Sequence, residues 1–358
     1  MTMAMAMAIT LRRFNTNTNI FRYNGIRPMK PQSIIQFQFR HQSSSSSSSS
    51  VSADEVTHFS ALGGSWWDPV GPSRVLHLMN PLRHDFIAEC LDSGSSERVD
   101  KNINGNGNIN GNGNTGLKYL DIGCGGGIFA ESMARTIPLS GSASGSTHAS
   151  SVVGVDPSPI LIRIARDHAR MDPLVDSHLR SGIFQYLNTT MEGLVEHEQN
   201  KDKDENKTAT TTTTDENNLY DVATLFEVLE HIDPSTSSPI TFLSNCLRLI
   251  KPGGWLIGST IARSFPSFLV NQVIAEAPWP IGVVPRGTHE WNKFVNPDEL
   301  RRWVGDGLGL LRTSSSKSTS NKVVNWKCNG VMYFPGLGWK MVNGSENWGN
   351  YFWAVQKG

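Results

Sequence analysis

The sequence predicts an α/β fold built on one doubly wound, mostly parallel sheet. Three observations carry it. Apolar runs of strand length alternate with amphipathic runs of helix length. An early strand-like run ends in an acid and then in a turn with four glycines in five positions. A later run, Tyr220–Phe226, is apolar on both faces, as a central parallel strand must be. The ligand of such a sheet lies beyond the carboxyl ends of the strands, where the glycine turn already sits.

The elements follow in order. Leu117–Ile122 reads as the first strand and residues 128–136 as its helix. Residues 151–155 form the second strand, and 158–171 a helix with Ile160, Ile164 and Ala165 on one side. Residues 183–187 are a third strand and Tyr220–Phe226 a fourth. Residues 240–249 make a helix, ended by the stop signal Lys251-Pro252-Gly253-Gly254. Residues 255–260 are the next strand, 297–304 a short helix capped by Asn296, and 323–328 and Asn350–Gln356 the closing strands. A helix through 83–89, ahead of the first strand, is placed to fold over the pocket as a lid. Four low-complexity stretches, 93–116, 138–151, 199–217 and 312–321, bury too little apolar surface to order themselves and read as expanded loops within a single domain spanning 54–358.

Charge narrows the class. The 358-residue chain has a formal net charge of zero, but residues 1–53 hold Arg12, Arg13, Arg22, Arg27, Lys30 and Arg40 and no acid. Removing these six cations leaves the remainder six negative, a balance that argues against nucleic acid as the partner. Arg-rich, Ser-rich and acid-poor, residues 1–50 have the composition of a mitochondrial transit peptide, or else of a disordered tail. No run approaches the roughly 18 apolar residues that span a bilayer. The four cysteines are far apart and form no metal-ligand pair.

The glycine turn names the chemistry. In Leu120-Asp121-Ile122-Gly123-Cys124-Gly125-Gly126-Gly127 the backbone can lie flat against a ligand where a Cβ would collide. Position 128 is Ile, whereas the dinucleotide fingerprint wants glycine there. Asp121 would repel a pyrophosphate but suits the ammonium group of S-adenosylmethionine. This points to a class I S-adenosylmethionine-dependent methyltransferase, with Gly123 and Gly125 beside the cofactor. Asp156 ends the second strand, where an acid accepts hydrogen bonds from both ribose hydroxyls; the alternative is a cap on the following helix, and the two roles can coexist. After the third strand, Thr190-Met191-Glu192 is placed to meet the adenine rim, or is an ordinary loop. Phe226 faces the cofactor or packs in the sheet.

The fourth strand runs into Glu227-Val228-Leu229-Glu230-His231. On a helical turn Glu227, Glu230 and His231 share one face and would offer a divalent cation two carboxylates and an imidazole. The Val-Leu-Glu-His string also shapes the pocket of methyltransferases that hold no metal. Arg83 follows Trp66-Trp67-Asp68-Pro69 and Asn80-Pro81-Leu82, and would neutralise the cofactor carboxylate unless it is simply a surface arginine. Residues 264–293 are unusually apolar for a connection and suit a lipid tail or membrane surface, or a small core of their own. His289 in this segment is the candidate general base, with a plain loop histidine as the alternative.

These residues together resemble the ubiquinone-biosynthesis O-methyltransferase family, from about Thr57 to the C-terminus. The more specific parts are Trp66-Trp67-Asp68-Pro69, Asn80-Pro81-Leu82-Arg83, the glycine turn, Glu227-Val228-Leu229-Glu230-His231 and Val284-Pro285-Arg286-Gly287-Thr288-His289. The resemblance implies that Arg83, Gly123, Asp156 and Phe226 contact S-adenosylmethionine and that Glu227, Glu230 and His231 bind magnesium or a similar ion. It implies polyprenyl catechol and quinol substrates, other ubiquinone-synthesis enzymes as partners in a complex, and peripheral contact with the matrix side of the mitochondrial inner membrane. The rivals are a nicotinamide-dependent oxidoreductase, disfavoured by Asp121 and Ile128; a non-catalytic scaffold, which has no need of these side chains; and a methyltransferase acting on another small phenol or on carbon.

Overall fold

Strand β1 (Leu117–Ile122) lies between β2 (Ala149–Asp156) and β4 (Tyr220–Phe226), parallel to both. β3 (Phe184–Asn188) extends the sheet beyond β2, and β5 (Ile250–Ile261) extends it beyond β4, again in parallel. The chain then reverses: β8 (Asn350–Gln356) pairs antiparallel with β5, followed by β6 (Asn325–Phe334) and β7 (Gly338–Met341). Among the described residues the sheet thus has eight strands in the order β3-β2-β1-β4-β5-β8-β6-β7. Sequence order turns back at β1, so a crevice opens between the carboxyl ends of β1 and β4. The computed structural model describes residues 49–99, 116–139, 145–204, 218–233, 236–264, 293–313, 325–334 and 336–358. Residues 1–48 of the expected leader (1–50), His289 and all but the two ends of 264–293 lie outside the described residues.

Helices cover both faces because side chains alternate along each strand. On one face Tyr119, Phe184 and Phe352 pack against α2 (Arg74–Val99), α3 (Ile128–Ala134), α4 (Pro159–Ala169) and α5 (Pro173–Ser181), through Phe86, Phe129, Ile162 and Val175. On the other, Leu120, Ala223 and Trp353 meet α6 (Met191–Asp204), α7 (Pro239–Arg248) and α8 (Pro297–Thr313), through Leu194, Leu243 and Leu300. Each such fully buried side chain contributes about 1.5–3 kcal/mol. Serine caps start two of these helices: Ser158 accepts from Leu161 N–H and Ser238 from Thr241 N–H, each followed by proline at the first helical position. The N-terminal α1 (Ala53–Ala61) is capped in the same way by Ser52.

The structure departs from the sequence reading where local signals mislead. The helix expected at 83–89 spans Arg74–Val99, and it passes through Pro81, which forfeits one backbone bond without ending the helix. The helix before Lys251-Pro252-Gly253-Gly254 does end, at Arg248, but the next strand does not wait for Trp255. β5 already begins at Ile250, and pairing shifts from Tyr220↔Ile250 to Val222↔Trp255, so Pro252 and left-handed Gly253 form a bulge. The loop expected from 312 begins later, because α8 runs on to Thr313. Thr190-Met191-Glu192 is not a loop but the start of α6, where the Thr190 hydroxyl accepts from Gly193 N–H at 3.1 Å.

Candidate active site

The glycine turn closes over the end of β1. Gly123 and Gly125 have φ of +69° and +54°, a left-handed backbone that side chains rarely adopt. Space forbids them as well: a Cβ on Gly123 would lie 2.7 Å from Val228 Cγ2, and one on Gly125 2.6 Å from Trp66 Cζ2. Gly125 N–H donates to Asp156 Oδ2 at 2.9 Å, which ties the turn to the end of β2. The other oxygen, Oδ1, accepts from Ser158 N–H at 2.8 Å. The side-chain cap of α4 is Ser158, not Asp156, so the capping role suggested for Asp156 falls to its neighbour. Burial lifts the Asp156 carboxyl to about 6, against the pull of its two backbone donors.

Asp121, the last residue but one of β1, is 4% exposed. Burial pushes it up to about 7, opposed by the Thr224 hydroxyl, which donates to Oδ1 at 2.7 Å, and by the charge of Arg83. Arg83 is 3% exposed, so it is not a surface arginine. Its Nη1 donates to Asn80 Oδ1 at 3.1 Å, and its guanidinium stacks 4.7 Å above the Phe226 ring. Burial lowers its pKa, countered by Glu227 and Asp121. Its Nε has no hydrogen-bond partner among the described residues. A buried guanidinium with an open donor is suited to an anion. Phe226 packs against Phe129 at 4.6 Å and Phe352 at 6.1 Å, so sheet packing and the arginine account for its ring.

Beyond Phe226 the chain makes a left-handed step at Glu227 (φ +58°) and a 3-10 turn, Leu229–His231. A non-glycine residue in that region costs on the order of 1–3 kcal/mol and persists only where its surroundings enforce it. Here Glu227 N–H donates to Ser259 O at 3.3 Å, and the Ser259 hydroxyl donates to Oε1 at 2.6 Å. Glu230 is 4% exposed and accepts from the Thr260 hydroxyl at 2.9 Å. Burial, then the neighbouring charge of Glu227, holds the Glu230 carboxyl far above its usual range. His231 turns toward α1: its Nδ1 lies 3.3 Å from Glu55 Oε2, and Phe59 sits edge-on to its ring at 4.7 Å. Glu55 also accepts from Lys293 Nζ at 2.9 Å. Burial works to raise the Glu55 carboxyl, but His231 and then Lys293 outweigh it and bring it down to about 2. Among the described residues no three His, Cys, Asp or Glu side chains already converge as a metal cluster. The donors fit a divalent ion by their chemistry, because the two carboxylates repel each other unless a proton or a cation lies between them.

The segment before α2 covers the turn. Trp66 lies flat on Gly125 and Gly126, the Trp67 indole N–H donates to Gly126 O at 2.9 Å, and Asn80 Nδ2 donates to Ile128 O at 3.0 Å. Sequence reading missed Thr224, Ser259, Thr260 and Glu55. The first three are hydroxyls at the carboxyl ends of otherwise apolar strands, which is a usable signal; Glu55 gives none.

Residues 87–310 match the model of a methyltransferase domain family. A protein of Candida albicans named "Ubiquinone biosynthesis O-methyltransferase, mitochondrial" is 31% identical over 330 residues, covering 86% of this chain and 85% of its own length. A Schizosaccharomyces pombe protein of the same name is 34% identical over 315 residues, covering 86% and 87%. A Cereibacter sphaeroides "Ubiquinone biosynthesis O-methyltransferase" is 33% identical over 246 residues, covering 69% and 78%.

Proposed function

The chain belongs to the ubiquinone-biosynthesis O-methyltransferase family, and from that premise we propose that it methylates polyprenylated catechols and quinols at a hydroxyl oxygen. It is an S-adenosylmethionine-dependent O-methyltransferase. The substrates are the 3,4-dihydroxy-5-polyprenylbenzoate and demethylubiquinol classes. One observation carries the reading: Arg83, Asp121 and Asp156 are all buried and come from three different elements, with Asp156 holding the glycine turn through Gly125 N–H and Arg83 near enough to feel the charge of Asp121 just before that turn. S-adenosylmethionine presents a carboxylate, an ammonium and a ribose diol, and these three side chains are their complements. Gly123 and Gly125 keep the turn bare beneath it.

The acceptor oxygen needs help. A phenol has a pKa of about 10 and is a weak nucleophile at neutral pH. Glu227, Glu230 and His231 would hold a divalent cation, magnesium being the first choice. Such an ion, when bound, stabilises a catechol oxygen as its phenolate. Arg83, Asp121 and Asp156 fix the donor so that the sulfonium methyl faces the oxygen. As the new C–O bond forms, the S–C bond breaks and its electron pair goes to sulfur, leaving an uncharged thioether. The phenolic proton passes to a base, for which His289 is the candidate.

The apolar 264–293 segment would hold the isoprenoid tail at the matrix face of the mitochondrial inner membrane, in company with other ubiquinone-synthesis enzymes. Two relatives named as mitochondrial support the compartment, and residues 1–50 would be the leader that reaches it. No helix among the described residues is long and apolar enough to cross a membrane, which suits a peripheral contact. The test is labelled S-adenosylmethionine with a short-tailed catechol. Methyl transfer that stops in chelator and returns with magnesium is expected. Transfer undiminished in chelator removes the metal role, and no transfer to any catechol removes the substrate class.

A further inference from the structure

Helix α1 brings to this site a carboxylate with no role so far. Glu55 is half-buried in the first turn of α1, with Oε2 3.3 Å from His231 Nδ1 and Oε1 accepting from Lys293 Nζ at 2.9 Å. Phe59, one turn further on, sets its ring at 85° to the imidazole with centroids 4.7 Å apart. The imidazole is thus held at one nitrogen and against one ring. The frame behind it is anchored too. Val51 bridges to Ile232, Asp233 N–H donates to Ser50 O at 2.9 Å, and the Ser60 and Ser158 hydroxyls lie 2.8 Å apart.

We propose that Glu55 is a positioning residue that accepts the Nδ1 proton of His231 and so leaves Nε2 as the bare nitrogen offered to the divalent cation. The inference rests on the reading of Glu227, Glu230 and His231 as the cation's donors. A neutral imidazole carries one proton, and the partner of one nitrogen decides what the other can do. Histidines that ligate metals nearly always give their second N–H to a carboxylate, carbonyl or water, which fixes tautomer and ring orientation. Glu55 cannot easily become a ligand itself, since His231 and Lys293 each occupy one of its oxygens. The cation site is then complete only when α1 is seated. The segment that covers the glycine turn therefore also sets the third donor.

The experiment uses the whole enzyme without metal, with 15N-labelled histidine and long-range proton–nitrogen correlation at His231. The wild type is expected to carry its proton on Nδ1. Glu55→Leu should lose that preference and bind Mn2+, read by paramagnetic resonance, about 10–100-fold more weakly. Glu55→Gln should recover the tautomer and most of the affinity, because an amide oxygen still accepts the N–H; a purely ionic role would not be rescued. An Nε2-protonated wild type overturns the inference even if no variant folds. Equal Mn2+ affinity in wild type and Glu55→Leu, or in wild type and His231→Ala, also overturns it. A wild type that binds S-adenosylhomocysteine but no Mn2+ brings down the cation reading beneath it, a failure distinct from the others.

Discussion

Replacing Asp156 with asparagine separates two jobs that its carboxylate holds at once. In the free protein Oδ2 receives Gly125 N–H at 2.9 Å and Oδ1 receives Ser158 N–H at 2.8 Å. An asparagine has one oxygen, so its NH2 must face one of these donors. A hydrogen bond to a charged group is worth roughly 1.5–3 kcal/mol, so the variant should lose about that much stability. The ribose diol asks for the remaining lone pairs. With a neutral amide, at least one hydroxyl loses a charged acceptor, again roughly 1.5–3 kcal/mol, which is about 10–100-fold in affinity. Thermal unfolding without ligand reads the first effect, and titration calorimetry with S-adenosylhomocysteine reads the second. A lower melting temperature with affinity changed by less than about threefold would refute the ribose role and leave Asp156 as a staple of the turn.

Four further outcomes can be measured. Gly125→Ala forces a left-handed alanine and a Cβ 2.6 Å from Trp66 Cζ2; about 1–2 kcal/mol for the backbone alone should lower the melting temperature by several degrees, and an unchanged melt would contradict the packing. Asp121 is raised to about 7 and Asp156 to about 6, mainly by burial. A carboxylate raised in the folded state contributes stability that is full below its unfolded value, about 3.9, and is lost as pH rises through the folded value. The ligand-free protein should therefore weaken between about pH 4 and 7. Binding S-adenosylhomocysteine, whose ammonium favours ionised Asp121, should release protons near neutral pH. Binding heats independent of the buffer's own ionisation heat would exclude this. Phe268→Asp should reduce partition to anionic liposomes if residues 264–293 meet lipid, and unchanged partition would return the segment to the reading of a core of its own.

Period and punctuation made most of the sheet legible from sequence. β1, β4 and β8 have the expected bounds, because each is a short apolar run between turn residues. The errors share a cause: a local rule was applied where tertiary contacts override it. Pro81 sits inside α2 because packing of Met79 before it and of Phe86 and Ile87 after it holds the helix on either side of the missing bond. Pro252-Gly253 made the next strand read as starting only at Trp255, yet pairing with β4 already begins at Ile250 and the strand carries the bulge. In the site, acids at strand ends and the glycine turn were visible because strand topology alone sends them to one edge. What lay between them was not. That His231 points to Glu55 depends on a helix 176 positions upstream, and nothing in either local sequence encodes the meeting.

The costs built into this site explain why its parts belong together. Asp121, Asp156 and Glu230 are carboxyls that burial resists ionising. Arg83 is a buried cation with a donor left open. Glu227 stands in a backbone conformation unfavourable to it. Each is a penalty for the free fold, and none is required by the packing of α2, α3 or the sheet, which apolar residues of similar size would satisfy better. The penalties are not random in sign or place. By charge or hydrogen bonding the acid at β1 complements an ammonium, the arginine a carboxylate, the acid at β2 a diol, and the paired acids after β4 a dication. A scaffold kept only for assembly would shed these groups and gain stability, so their joint presence in one crevice is the physical case for an enzyme that binds all its reactants there.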